Sequence, residues 1–251
     1  MSGTVAAVPI GRAPARGLPA NRLQLLAVAH GTRDERGMAV MRELVGRVAG
    51  LRPEVDVRLA CVGLAAPSVT DALGRLRGDV VVVPLLLGTG YHLRHDIPRA
   101  LEQAPWVRAR LAPALGPDPL LAHALAGRLA EAEARRPGAG GGPVVLAAAG
   151  SAEPAAQAAV AGTADLLSAR IGRPVVPAGL AGSGPTPARA VAELRAAGHE
   201  RVSVARYLLG PGHFARAAAG AGGCVLTEPL GAHEAVARLV LRRYDEAAAT
   251  A

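Results

Sequence analysis

DVVVVPLLLGTGYHLRHDIPRAL, residues 79–101, joins three unlike textures in one stretch. Four valines lead through Pro84 to three leucines, an apolar run with no polar face. Such a run reads as a strand buried on both faces, predicted over 79–87. Gly88 and Gly90 then let the backbone turn. DIPRALEQA (96–104) follows as a short helix, with Asp96 as its expected N-cap. Strand, glycine turn, helix is the repeating unit of a parallel α/β sheet.

The unit recurs on both sides of this stretch. RLQLLAVAH (22–30) reads as a first buried strand, and the residues after it space Met41, Leu44, Val48 and Leu51 at helical intervals. Thr32 and Glu35 fit the capping box that starts such a helix. VDVRLACVGL (55–64) is a second strand, PSVTDALGRLR (67–77) a helix and RARLAPAL (108–115) a fourth strand. GPDPLLAHALAGRLAEAEARR (116–136) closes the unit as a helix. PGAGGGP (137–143) has linker composition, and beyond it the order returns. PVVLAAAGS (143–151) mirrors LLAVAHGT, and RVSVARYLLGPGH (201–213) mirrors DVVVVPLLLGTGYH. AGLAGSGPTPARAVAELRAAG (178–198) and TEPLGAHEAVARLVLRR (227–243) mirror 62–78 and the segment from Ala112. Matched glycines keep nearly constant offsets (150 − 31 = 119, 179 − 63 = 116, 210 − 88 = 122, 231 − 116 = 115), the mark of an internal duplication. The expected architecture is two similar doubly wound parallel-sheet α/β domains with a cleft between them. Residues 1–20 form a flexible leader, 21–136 the first domain, 137–142 a Gly-rich linker and 143–251 the second domain.

Composition narrows the partners. Half of the 251 residues are apolar but only 2% are aromatic, so the core is built from Ala, Val and Leu. The net charge is +8, and all 28 basic residues are arginine, which suits an anionic partner bound through bidentate forks. Few stacking platforms and no familiar motif argue against nucleic acid. Two cysteines, Cys61 and Cys224, rule out a disulfide scaffold or a four-thiolate metal site. The N-terminal stretch MSGTVAAVPIGRAPARGLPA has no sustained apolar region, so it reads as neither signal peptide nor membrane span, and a cytoplasmic protein is expected.

In open parallel sheets, ligands bind beyond the carboxyl ends of the strands. His30 ends strand one and His92 lies just past strand three, so the two share a rim. Loop histidines that merely satisfy backbone groups are the plain alternative. A hydrolase triad is disfavoured because Ser68 and the later serines lack the G-x-S-x-G elbow. The HGT turn could cradle a phosphate, although it lacks the spacing of a P-loop. Metal handling remains: imidazoles ligate first-row divalent ions and accept protons near neutral pH.

The combination of strand–HGT–R–D, a PS-headed helix, and Gly90, His92, Asp96, Ile97 and Pro98 as G-x-H-x-x-x-DIP resembles the class II chelatases. Within them it resembles the long, two-domain sirohydrochlorin chelatases, over nearly the whole chain after residue 21. The resemblance implies ATP-independent insertion of Fe(II) into sirohydrochlorin to make sirohaem, or of Co(II) on the way to cobalamin. The divalent metal is substrate, and no cofactor is permanently bound. His30 and His92 become the residues that take the ion and the two departing pyrrole protons. The tetrapyrrole is a polycarboxylate, and Arg33, Arg94 and Arg99, beside the motif histidines, become candidates for its carboxylates. Many relatives carry a glutamate where this chain has Gly63; His95 and Asp96 are the nearest substitutes in sequence. That departure keeps a non-catalytic tetrapyrrole or metal carrier as an alternative. The second copy has Ala149 opposite His30 and Phe214 opposite His92, with His213 shifted by one, so one active centre on the first domain is expected. Two complete halves remove the need for a dimer, and a monomer is expected.

Overall fold

The computed structural model describes residues 23–63 and 65–250; the expected leader (1–20) lies outside the described residues. Two parallel four-stranded sheets are present, and α/β architecture in two similar halves is the fold. The first sheet holds β1 (Gln24–Ala29), β2 (Val57–Cys61), β3 (Gly78–Leu85) and β4 (Val107–Leu111) in the order β2-β1-β3-β4. The second holds β5 (Val144–Ala148), β6 (Val175–Gly179), β7 (Ser203–Tyr207) and β8 (Val225–Leu226) in the matching order β6-β5-β7-β8. Central strands β1, β3 and β5 are the most apolar because helices cover both their faces.

Backbone pairing fixes how the copies correspond. Ala29 pairs with Cys61 and Leu85, and Ala148 pairs with Gly179 and Tyr207. Gly179 is therefore the counterpart of Cys61 rather than of Gly63, which corrects one of the four offsets by two residues. Gly31 and Gly150 hold the same left-handed backbone, φ +81 and +88.

Helices α1 (Glu35–Leu51), α2 (Val69–Gly74), α3 (Ile97–Glu102) and α4 (Pro119–Ala134) belong to the first copy. The second copy carries α5 (Pro154–Ile171), α6 (Pro187–Ala196), α7 (His213–Ala219) and α8 (Glu234–Ala249). In α1 the residues Met38, Met41, Leu44 and Val48 are buried as their spacing predicts, whereas Leu51 is exposed. The helix starts later than expected: Asp34 accepts the capping hydrogen bond from Arg36 N, and the Thr32 hydroxyl accepts from Asp34 N. No described helix is long and apolar enough to cross a membrane.

The last helix of each copy packs on the other copy's sheet. α8 lies against α1, β3 and β4, while α4 lies against α5, β7 and β8. The two sheets therefore sandwich a shared layer of α1, α4, α5 and α8, whose core runs from Leu25 and Val81 through Leu125 and Leu239 to Leu146 and Ala205. Smaller cores under α2 and α3, and under α6, close the outer faces. Polar ties reinforce the exchange. Buried Asp118 receives both Arg242 and Arg243, Arg52 pairs with Asp245 at 2.8 Å, and the Tyr244 hydroxyl donates to the Leu23 carbonyl at 3.0 Å.

Candidate metal-handling site

A cleft of about 1030 Å³ opens at the carboxyl ends of both sheets. In the order β2-β1-β3-β4 the chain reverses direction of travel between β1 and β3, the position where open α/β sheets form a crevice. His30 follows β1 by one residue. Because Ala29 pairs with Leu85, the turn after β3 leaves the sheet level with it. The result is close: the imidazoles of His30 and His92 lie 4.7 Å apart, centroid to centroid, with their planes tilted by 46°. Both line the cleft.

The backbone around each histidine is specialised. Gly31 takes a left-handed φ directly after His30, and a Cβ there would lie 3.0 Å from the Cys61 Cβ. Gly63 stands against the other side of His30. A Cβ at 63 would meet the His30 carbonyl oxygen at 2.7 Å and Nδ1 at 3.4 Å. Glycine is thus what lets the second strand's turn close on this imidazole, and no carboxylate stands there.

His92 begins a wide π-type turn, His92–Asp96, in which the Ile97 N–H reaches back to the His92 carbonyl. Asp96 is consequently not an N-cap: its backbone is helical and its side chain caps nothing. Its Oδ2 instead lies 2.5 Å from His92 Nδ1. The i,i+4 spacing of the two residues was the available signal, and the capping expectation masked it. A carboxylate on Nδ1 fixes the ring's orientation and leaves Nε2 as the lone-pair nitrogen.

The remaining candidates separate. Arg94, half-exposed on the same turn, forms an ion pair with Glu153 at the start of α5, so it ties the two copies together. Arg33 and Arg99 are exposed and do not line the cleft. His95 stacks on the exposed Tyr91 ring at 4.5 Å, also away from the lining. His213 does line the cleft, from the opposite wall, edge-on to Phe214. Apolar walls dominate: Met38 and Met41 from α1, Leu85–Leu87, and Leu208–Leu209. Among the described residues, no cluster of three or more His, Cys, Asp or Glu is arranged to hold a metal ion.

One further residue was not visible in sequence. Tyr207, at the end of β7, is buried, and its hydroxyl donates to the Leu87 carbonyl of the first copy at 3.2 Å, with Thr163 Oγ1 also at 3.2 Å. Burial pushes the phenol up to about 12. Gly116 makes the contact possible, since a Cβ there would run into this hydroxyl. Tyr207 thereby supports, from the second copy, the residue immediately before the Gly88–Gly90 turn.

Two similar α/β copies, each with a four-stranded parallel sheet, are the fold of the chelatases, and the chain is one of the class II family. A family model described as CbiX matches residues 24–132 and again 143–247, and the chain belongs to the CbiX family. It is 27% identical over 88 residues to the sirohydrochlorin cobaltochelatase of Methanococcoides burtonii, spanning 34% of this chain and 67% of that relative. Among solved structures it is similar to SirB from Bacillus subtilis with Fe3+ (TM-score 0.71, 25% identity, 91% of this chain and 96% of that one). It is likewise similar to CbiX, described as the terminal enzyme for siroheme biosynthesis in denitrifying bacteria (TM-score 0.65, 27% identity, 89% and 99% of the two chains).

Proposed function

We propose that this chelatase inserts Fe(II) into sirohydrochlorin to make sirohaem, without ATP. The carrying observation is the His30–His92 pair, 4.7 Å apart on one wall of a cleft large enough for a macrocycle. The entering ion is substrate. The imidazoles hold it at the cleft wall and accept the two pyrrole protons that leave as it enters, so charge balances. Asp96 holds His92 in the orientation and tautomer that this needs. Two histidines without a third ligand bind an ion loosely enough to hand it on. The apolar walls take the macrocycle's faces, and its carboxylates turn outward to arginines outside the lining: Arg94, which pairs with the lining residue Glu153, and Arg33 and Arg99. Two halves supply both walls, which supports a monomer, and the cytoplasm is the proposed place of action.

Co(II) insertion is the alternative activity, supported by the name of the Methanococcoides burtonii relative. A carrier that holds metal or tetrapyrrole without chemistry is favoured by one observation, the glycine at 63 that leaves His30 without an adjoining acid. Mixing the protein anaerobically with sirohydrochlorin and either ion, and following the absorption change, separates these readings. Insertion faster than the protein-free control is expected, with His30→Ala and His92→Ala each slowing it by about 10²-fold or more. A rate equal to the control with both metals leaves the carrier. Normal rates in both variants refute the site.

A further inference from the structure

The cleft contains a contradiction in charge. Among the described lining residues Glu153 is the one carboxylate and none is an arginine. A polycarboxylate ligand would meet an acid where it needs a base. Glu153, however, is engaged: it forms an ion pair with Arg94, which stands two residues past His92 on the same turn. The pair runs from the first copy to the second; the Glu153 Oε2 that faces Arg94 is itself buried and accepts no hydrogen bond, while the side chains are 50% (Arg94) and 36% (Glu153) exposed. Its partners can therefore be exchanged without opening a core.

We propose that Glu153 is a resident stand-in for a substrate carboxylate. It occupies Arg94 while the cleft is empty and yields it when a carboxylate of the anionic macrocycle arrives. This rests on the tetrapyrrole reading above. The exchange trades one guanidinium–carboxylate pair for another, so Arg94 is never left without an anion. The released Glu153 is provided for. It precedes Pro154, the first residue of the 18-residue α5, and its side chain makes no capping hydrogen bond, so the free carboxylate remains at a helix N-terminus that favours negative charge. The device confers selectivity, because a neutral or esterified macrocycle has nothing with which to displace Glu153.

Equilibrium binding of metal-free sirohydrochlorin, read by its fluorescence with no metal added, tests the exchange apart from insertion. Removing an exposed competitor on this scale tightens binding by about two- to fivefold, so Glu153→Gln should lower Kd by that factor. Arg94→Gln should weaken binding, and in the Arg94→Gln background Glu153→Gln should change nothing. A purely structural role for Glu153 would give no such dependence on Arg94. Saturable wild-type binding that Glu153→Gln leaves unchanged or weakens overturns the exchange alone. Absence of saturable binding in the wild type and in every variant overturns the tetrapyrrole reading itself.

Discussion

Replacing Tyr207 by Phe removes one oxygen from the place where the two copies meet beneath the cleft. The hydroxyl donates to the Leu87 carbonyl and lies 3.2 Å from Thr163 Oγ1, and the side chain is only 3% exposed. Deleting it leaves the Leu87 carbonyl without that donor. The expected cost is about 2 kcal/mol. For a chain of this size that corresponds to a fall in Tm of roughly 4–8 °C. The pH dependence gives a second, independent reading. Burial holds the phenol near 12 against an ordinary value of 10.0. Below the ordinary value both folded and unfolded states keep the proton, and the tyrosine's contribution is whole. As pH rises through this interval the unfolded chain ionises first, and the wild type loses stability, on the order of 3 kcal/mol in all. Phenylalanine has nothing to ionise. Urea unfolding should therefore find the variant less stable at neutral pH, with the gap narrowing or inverting as pH climbs toward 12. Equal stability at neutral pH would refute the strut, and a gap that stays constant on the alkaline side would refute the burial argument.

Asp96→Ala should reduce insertion by about 10- to 100-fold by freeing the His92 ring, with little change in melting; undiminished turnover in the anaerobic assay would count against the orienting role. Gly31→Ala forces a side chain into left-handed backbone against Cys61, costing about 1–2 kcal/mol and displacing His30, so denaturant midpoint and insertion rate should fall together. His213→Ala should weaken metal binding several-fold if the opposite wall contributes to the site; unchanged affinity and turnover remove His213 from it.

The strands were legible because a strand covered on both faces writes itself as an unbroken apolar run, and such runs gave β1, β3 and β5 to within a few residues. The duplication was legible because two copies of one unit keep their turn glycines. Capping was less so. Asp34 and Asp96 are both short acids beside helix starts; one caps and the other reaches a histidine, and only the local backbone distinguishes them. The Gly63–Gly179 match failed because glycine resemblance carries less register information than the ladder of hydrogen bonds. Arg94 looked like a free cation because its partner lies 59 positions away (153 − 94) in the other copy. The exchange of α4 and α8 left no trace in sequence either, since an amphipathic pattern states which face is covered and not what covers it.

That exchange makes the two halves mutually incomplete. Strand β3 forms early in the chain, yet one of its faces is closed by a helix that ends at Ala249. During synthesis the histidine-bearing half must wait, with an uncovered apolar sheet, for nearly the whole of the second half to emerge. A polypeptide cut at residue 137 would share this defect permanently, each piece exposing the surface its missing helix should cover. In return, the cleft's two walls are bolted by elements that each side owes to the other, so the histidines face a wall that cannot swing away like a door.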